Sequence, residues 1–138
     1  MAPEKLGWIM GLLDGEGSIV LNGKDSKRSP RITIPSTDLP ILEELKRQAG
    51  GYICFRKDVR SHVRKAWVWM LSSKATLSLL AQGCHLLTCP LKRKRADYLL
   101  RRWKFGRLDR ETRRELEAGF YALTDERELR DLSGRDVF

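Results

Sequence analysis

The sequence predicts an α+β fold in which a four-stranded antiparallel sheet carries helices on one face. Two observations lead there. Four stretches alternate apolar and polar side chains with period two, and the stretches between them space apolar residues as a helix does. A third is their order, helix, hairpin, helix, hairpin, helix (αββαββα), followed by further C-terminal helices. At 138 residues and 41% hydrophobic content the chain suits a single domain, residues 1–138. Its core is expected over residues 3–102, with a helical extension over residues 103–132.

The first helix opens with Pro3 in its first turn and carries Leu6, Ile9, Met10 and Leu13 on one side before Gly15 and Gly17 stop it. Two features of this helix are odd. Asp14 and Glu16 stand at the negative end of the helix dipole, which disfavours a carboxylate by roughly 0.3–1 kcal/mol, so a cation is expected nearby. Gly7 and Gly11 each cost about 1 kcal/mol relative to alanine in a helix interior. Together they strip one face of side chains, and another backbone can approach it.

Ser18 to Lys24 then alternates, with Ile19 and Leu21 facing one way. After a polar turn, Arg31 to Ile34 puts Ile32 and Ile34 on the core side and Ser29, Arg31 and Thr33 opposite; the flanking Pro30 and Pro35 suit an edge or short strand. Ser36 to Asp38 reads as a helix entrance, with Pro40 in the first turn, Ile41, Leu42 and Leu45 on one face, and Gly50-Gly51 at the end. Tyr52 to Asp58 and His62 to Leu71 form the second hairpin, with Ile53, Phe55, Trp67, Trp69 and Leu71 in the core phase. A helix capped by Ser72 or Ser73 runs to Gln82. Another runs from Leu91 with Ala96, Tyr98, Leu99 and Leu100 on its apolar side, and a last one with Leu116, Phe120 and Leu123 is capped by Asp109.

Twenty-seven Lys and Arg against eighteen Asp and Glu give a net charge of +9, which points to a polyanionic partner, nucleic acid first. The excess is local: residues 92–114 hold eleven basic and three acidic side chains, whereas residues 115–138 hold three basic and seven acidic. The sheet face opposite the helices is polar and basic. Antiparallel ribbons can enter the DNA major groove, where side chains read base edges; the candidates are Ser18, Asn22, Lys24, Arg31, Thr33, Tyr52, Arg56 and Arg64. Cys54, Cys84 and Cys89 lack paired metal-ligand spacing and suit a reduced compartment. No apolar run approaches the roughly 18 residues of a membrane span and no signal-peptide pattern opens the chain, so an intracellular protein without membrane association is expected.

Ile9-Met10-Gly11-Leu12-Leu13-Asp14-Gly15-Glu16-Gly17, extended by Ser18-Ile19, resembles the LAGLIDADG motif of homing endonucleases, with Ile-Met for Leu-Ala and Glu for the second Asp. The element order resembles that family's αββαββα core, and Pro90-Leu91-Lys92-Arg93 its later basic helix. The resemblance implies a four-stranded DNA-binding saddle with helices on one face. It implies a homodimer joined through the motif helix, with Gly7, Gly11 and Met10 at the seam, because only one motif is present. It implies Glu16 as ligand of a divalent metal, Mg²⁺ foremost with Mn²⁺ or Ca²⁺ able to occupy the site. Lys92 becomes the basic residue near the cleavage point, with Arg93 beside it on the DNA, while Asp14, Gly15 and Gly17 support the motif. Ser36 stands where relatives carry an auxiliary polar residue. The implied activity is a metal-dependent double-strand break in a long, near-palindromic DNA site, in the manner of an intron-encoded enzyme. The alternatives are a catalytically silent sequence-specific DNA-binding protein and a maturase bound to its host intron RNA.

Overall fold

The computed structural model describes residues 1–23, 28–56, 66–106 and 108–123. Among them run α1 (Pro3–Glu16), β1 (Ser18–Asn22), β2 (Ser29–Ser36), α2 (Leu39–Ala49), β3 (Tyr52–Arg56), β4 (Ala66–Leu71), α3 (Ser73–Gly83), a 3₁₀ turn (Cys84–Leu86), α4 (Pro90–Arg102) and α5 (Arg110–Tyr121). The strands form one antiparallel sheet in the order β1-β2-β4-β3, which is the expected α+β arrangement.

Period two separates the faces of the sheet. Ile19, Leu21, Ile32, Ile34, Trp69 and Leu71 enter a core closed by Ile9, Met10 and Leu13 of α1, Leu42 and Leu45 of α2, Leu79 and Leu80 of α3, and Ala96 and Leu99 of α4. Each large aliphatic side chain buried there contributes roughly 1.5–3 kcal/mol. Trp69 is fully buried, and its indole N–H donates to the Gly50 carbonyl at 2.8 Å, so the ring carries no orphaned donor into the core. Phe55 shares this phase but stays 51% exposed on the edge strand β3, where it meets Trp67 edge-on.

Three details differ from the sequence reading. The first is β2, which is an interior strand running through both prolines rather than a short or edge strand. Its two neighbours are staggered: β1 pairs with Ser29 to Thr33 and β4 with Ile32 to Ser36. Pro30 therefore has a partner strand only on the β1 side and Pro35 only on the β4 side, so each is locally at an edge, as a residue without an N–H requires. The second is α1, which continues through Gly15 to Glu16 and is capped by Gly17. The third is Met10, described with the site below. Of the predicted strand ends, Lys24, residues 57–58 and residues 62–65 lie outside the described residues, as does the extension beyond residue 123.

Asp38 and Ser72 stand at the N-cap positions of α2 and α3, but neither side chain makes a capping hydrogen bond; the other turn signals act as expected. α2 begins with Pro40 in its first turn and ends at Gly50. Gly51 follows in the left-handed region at φ +84°, where a Cβ would stand 2.5 Å from the Met70 carbonyl oxygen. Asp109 caps α5 by accepting the Thr112 N–H at 2.7 Å, and Phe120 anchors that helix in the core. No helix among the described residues is long and apolar enough to cross a membrane.

Candidate nucleic-acid interface and active site

Among the described residues no helix covers the sheet face turned away from the core, and all four strands contribute to one cleft on it. Ser18 and Asn22 of β1, Thr33 and Pro35 of β2, Val68 and Met70 of β4, and Cys54 and Arg56 of β3 line this cleft of about 410 Å³, with Phe55 at its edge. Four of the predicted base-reading residues, Ser18, Asn22, Thr33 and Arg56, thus share one surface. Arg31 and Tyr52 share the phase of this face and hold each other, the guanidinium donating to the phenol oxygen at 2.6 Å. Arg93 is exposed on α4, and Lys24 and Arg64 lie outside the described residues. Cys54, Val68 and Met70 were not among the candidates, although period two places them on this face.

The end of α1 abuts this cleft, since Glu16 closes the helix and Ser18 opens β1. Gly17 makes the junction. Its N–H donates to the Leu13 carbonyl at 3.1 Å, and a Cβ there would come within 2.9 Å of both Ile34 Cγ1 and Leu13 Cδ1. A side chain at this position would push the motif helix off the sheet. Glu16 is exposed and makes no hydrogen bond or ion pair with the described residues.

Asp14 is engaged instead. Its Oδ1 accepts the backbone N–H of Thr88 at 3.0 Å and of Cys89 at 2.8 Å, and its Oδ2 accepts the Thr88 hydroxyl. Cys89 is the N-cap of α4, so the carboxylate faces the positive end of that helix. Burial pushes the Asp14 carboxyl up, but the Thr88 hydroxyl, the two N–H groups and the charge of Lys92 together hold it below the ordinary aspartate value. Lys92, from the first turn of α4, returns the contact: its Nζ donates to the Asp14 carbonyl at 2.5 Å. This ammonium supplies positive charge at the end of α1, where a cation is expected. Thr88 was missed by the sequence reading, since nothing local links it to a residue 74 positions earlier.

On the side of α1 turned away from the core the glycine face is bare. Gly7, Gly11 and Gly15 are exposed, and a Cβ built on any of them meets nothing within 4 Å. Trp8 is 36% exposed beside them. Met10 does not belong to this seam: it is fully buried, and a Cβ on Gly83 of α3 would lie 2.6 Å from its Cγ. One residue of helix is about 100° of rotation, enough to turn Met10 from the glycine face into the core. The Ser36 hydroxyl is occupied in accepting the Asp38 N–H at 2.9 Å at the entrance to α2.

Among the described residues no three His, Cys, Asp or Glu side chains are grouped to hold a metal. With Asp14 engaged, Glu16 is the free carboxylate at the end of the motif. A lone exposed carboxylate fits a hard cation that takes one or two protein carboxylates and completes its shell with water and phosphate oxygens, as Mg²⁺ does. It does not fit a closed nitrogen and sulfur cage.

Among solved structures the chain is similar to the archaeal intron-encoded homing endonuclease I-Vdi141I complexed with DNA, at a TM-score of 0.61 and 16% identity over 89% of this chain and 86% of that one. It is also similar to the homing endonuclease I-CvuI in complex with its target in the presence of calcium, at a TM-score of 0.53 and 18% identity over 88% of this chain and 97% of that one. At such identities the likeness is one of fold. No family model and no curated protein sequence matches the chain.

Proposed function

We propose that this chain, which has the fold of the LAGLIDADG homing endonucleases, is an intracellular site-specific DNA endonuclease that works as a homodimer. Each protomer would cut one strand of a long, near-palindromic duplex, giving a metal-dependent double-strand break. One juxtaposition carries the reading. An exposed acid, Glu16, ends α1, the Lys92 ammonium reaches the carbonyl of Asp14 two residues before it, and two residues beyond Glu16 the chain enters a cleft formed by all four strands. Of the two fold neighbours named above, one is complexed with DNA and the other with its target, which supports DNA as the partner.

The residues divide the work by their chemistry. The cleft side chains Ser18, Asn22, Thr33 and Arg56, with Arg31 and Tyr52, offer the donors and acceptors needed to read base edges. Arg93 and the basic surface of α4 would hold the phosphate backbone, which positions the duplex without reading its sequence. The exposed face of Gly7, Gly11 and Gly15 would let two α1 helices pack closely, bringing the Glu16 carboxylates of both protomers to the twofold axis. A divalent ion held by Glu16, Mg²⁺ foremost, would supply Lewis acidity toward water and the scissile phosphate. Lys92 would stabilise the charge that develops as the phosphorus–O3′ bond breaks.

The test is cleavage of a randomised duplex library by the purified protein in Mg²⁺ or in EDTA, with the cut ends sequenced. Staggered cuts at related, near-palindromic sequences in Mg²⁺ alone are expected. Absence of cutting, or equal cutting in EDTA, would refute the proposal.

A further inference from the structure

The contacts between the end of α1 and the start of α4 form a closed ring. The Asp14 carboxylate holds the N–H groups of Thr88 and Cys89 and the Thr88 hydroxyl, and from the turn that follows Lys92 reaches back to the carbonyl of the same Asp14. One residue of the motif helix is thus gripped at its side chain and its backbone by a run of five residues. Resting on the endonuclease reading above, we propose that Asp14 and Thr88 are positioning residues for Lys92: the clasp fixes where the lysine ammonium stands relative to Glu16.

The physical need is plain. A lysine ammonium on its four-carbon stem is a flexible point charge, and one carbonyl acceptor does not fix the helix that carries it. The Asp14 carboxylate does, because it pins the residues immediately ahead of α4 with three hydrogen bonds, each strengthened by its charge. The unfavourable charge of Asp14 at the C-terminus of α1 is offset at the N-terminus of α4. Beyond the stability these bonds contribute, they fix position, and a displacement of about 1 Å in a catalytic group can slow a reaction about a hundredfold.

Thr88→Val removes the hydroxyl donor while keeping the shape of the side chain, and Thr88→Ser restores the donor. The first readout uses no DNA: acetylation by an N-hydroxysuccinimide ester, followed at Lys92 by peptide mass spectrometry. Lys92 should react several-fold faster in Thr88→Val than in wild type, Thr88→Ser should revert, and the exposed Lys104 should not change. The second readout is the single-turnover rate on the duplex that wild type cuts, measured beside its Kd and the melting temperature. The rate should fall by about tenfold or more in Thr88→Val, with Kd unchanged and at a temperature where both proteins are folded, and recover in Thr88→Ser. Equal Lys92 reactivity in Thr88→Val and wild type would overturn the proposal, as would a lost rate matched by lost affinity or by unfolding at the assay temperature. Lys92 freed with the rate unchanged would overturn it too, while leaving the role of Glu16 standing. A wild-type protein that cuts no DNA would instead refute the endonuclease reading, and the acetylation result would still decide whether the clasp holds the lysine.

Discussion

Replacing Gly11 separates the two demands placed on the motif helix. Gly11 lies inside α1, is exposed, and has nothing within 4 Å of the position its Cβ would take. Within one chain, Gly11→Ala therefore meets no clash and relieves the helix of about 1 kcal/mol of glycine penalty. For a chain of 138 residues that raises the melting temperature by about 3–5 °C. Across the proposed seam of two packed α1 helices the same position would have no room. Overfilling a packed contact costs about 1–3 kcal/mol, and a twofold interface incurs it twice. Gly11→Leu should then weaken association by about thirtyfold or more. Sedimentation equilibrium across a dilution series reads the association, and thermal melting at concentrations where wild type is dissociated reads the monomer. A Gly11→Leu protein that associates as tightly as wild type would refute the seam, and a Gly11→Ala monomer less stable than wild type would refute the account of α1 itself.

Two further outcomes test the frame around the site. The Asp14 carboxyl titrates below its ordinary value in the folded chain, so its stabilising contribution is complete above the unfolded value of about 3.9 and is lost as pH falls through the lower folded value. The gap in urea midpoint between wild type and Asp14→Asn should therefore be wide near neutral pH and close in acid; a gap independent of pH would contradict the clasp. Gly51→Ala should destabilise the fold by about 2 kcal/mol or more, since it combines left-handed strain at φ +84° with a contact of 2.5 Å to the Met70 carbonyl. A denaturant midpoint equal to that of wild type would contradict the geometry of that turn.

Much of this was legible before any coordinate, for reasons particular residues make clear. Alternation identified Ile19, Leu21, Ile32, Ile34, Trp69 and Leu71 as core, because on a sheet buried on one face the phase decides the side. It did not tell Phe55 from Trp69, since phase gives the face but not whether a helix lies over that part of it. Pro30 and Pro35 were misleading because the rule that excludes proline from inner strands assumes neighbours in register along the whole strand, and here they are staggered. Periodicity placed Met10 on the apolar stripe of α1, where it lies, while the resemblance placed it at the seam; the stripe and the glycine face adjoin, and burial against Gly83 of α3 decides for the stripe. At the site, the misplaced charge of Asp14 announced a missing positive partner. That partner proved to be Lys92 together with the first N–H groups of α4. Which residues would supply it was beyond the sequence, for a contact across 74 positions has no local pattern.

Glu16 bears the central claim, and its carboxylate can be neutralised with little change of shape. Glu16→Gln and wild type should be compared on the same selected duplex in Mg²⁺, with the cleavage rate and the DNA dissociation constant measured in parallel. The account predicts that the variant binds the duplex as wild type does and does not cut it. Cleavage by Glu16→Gln at the wild-type rate would contradict it.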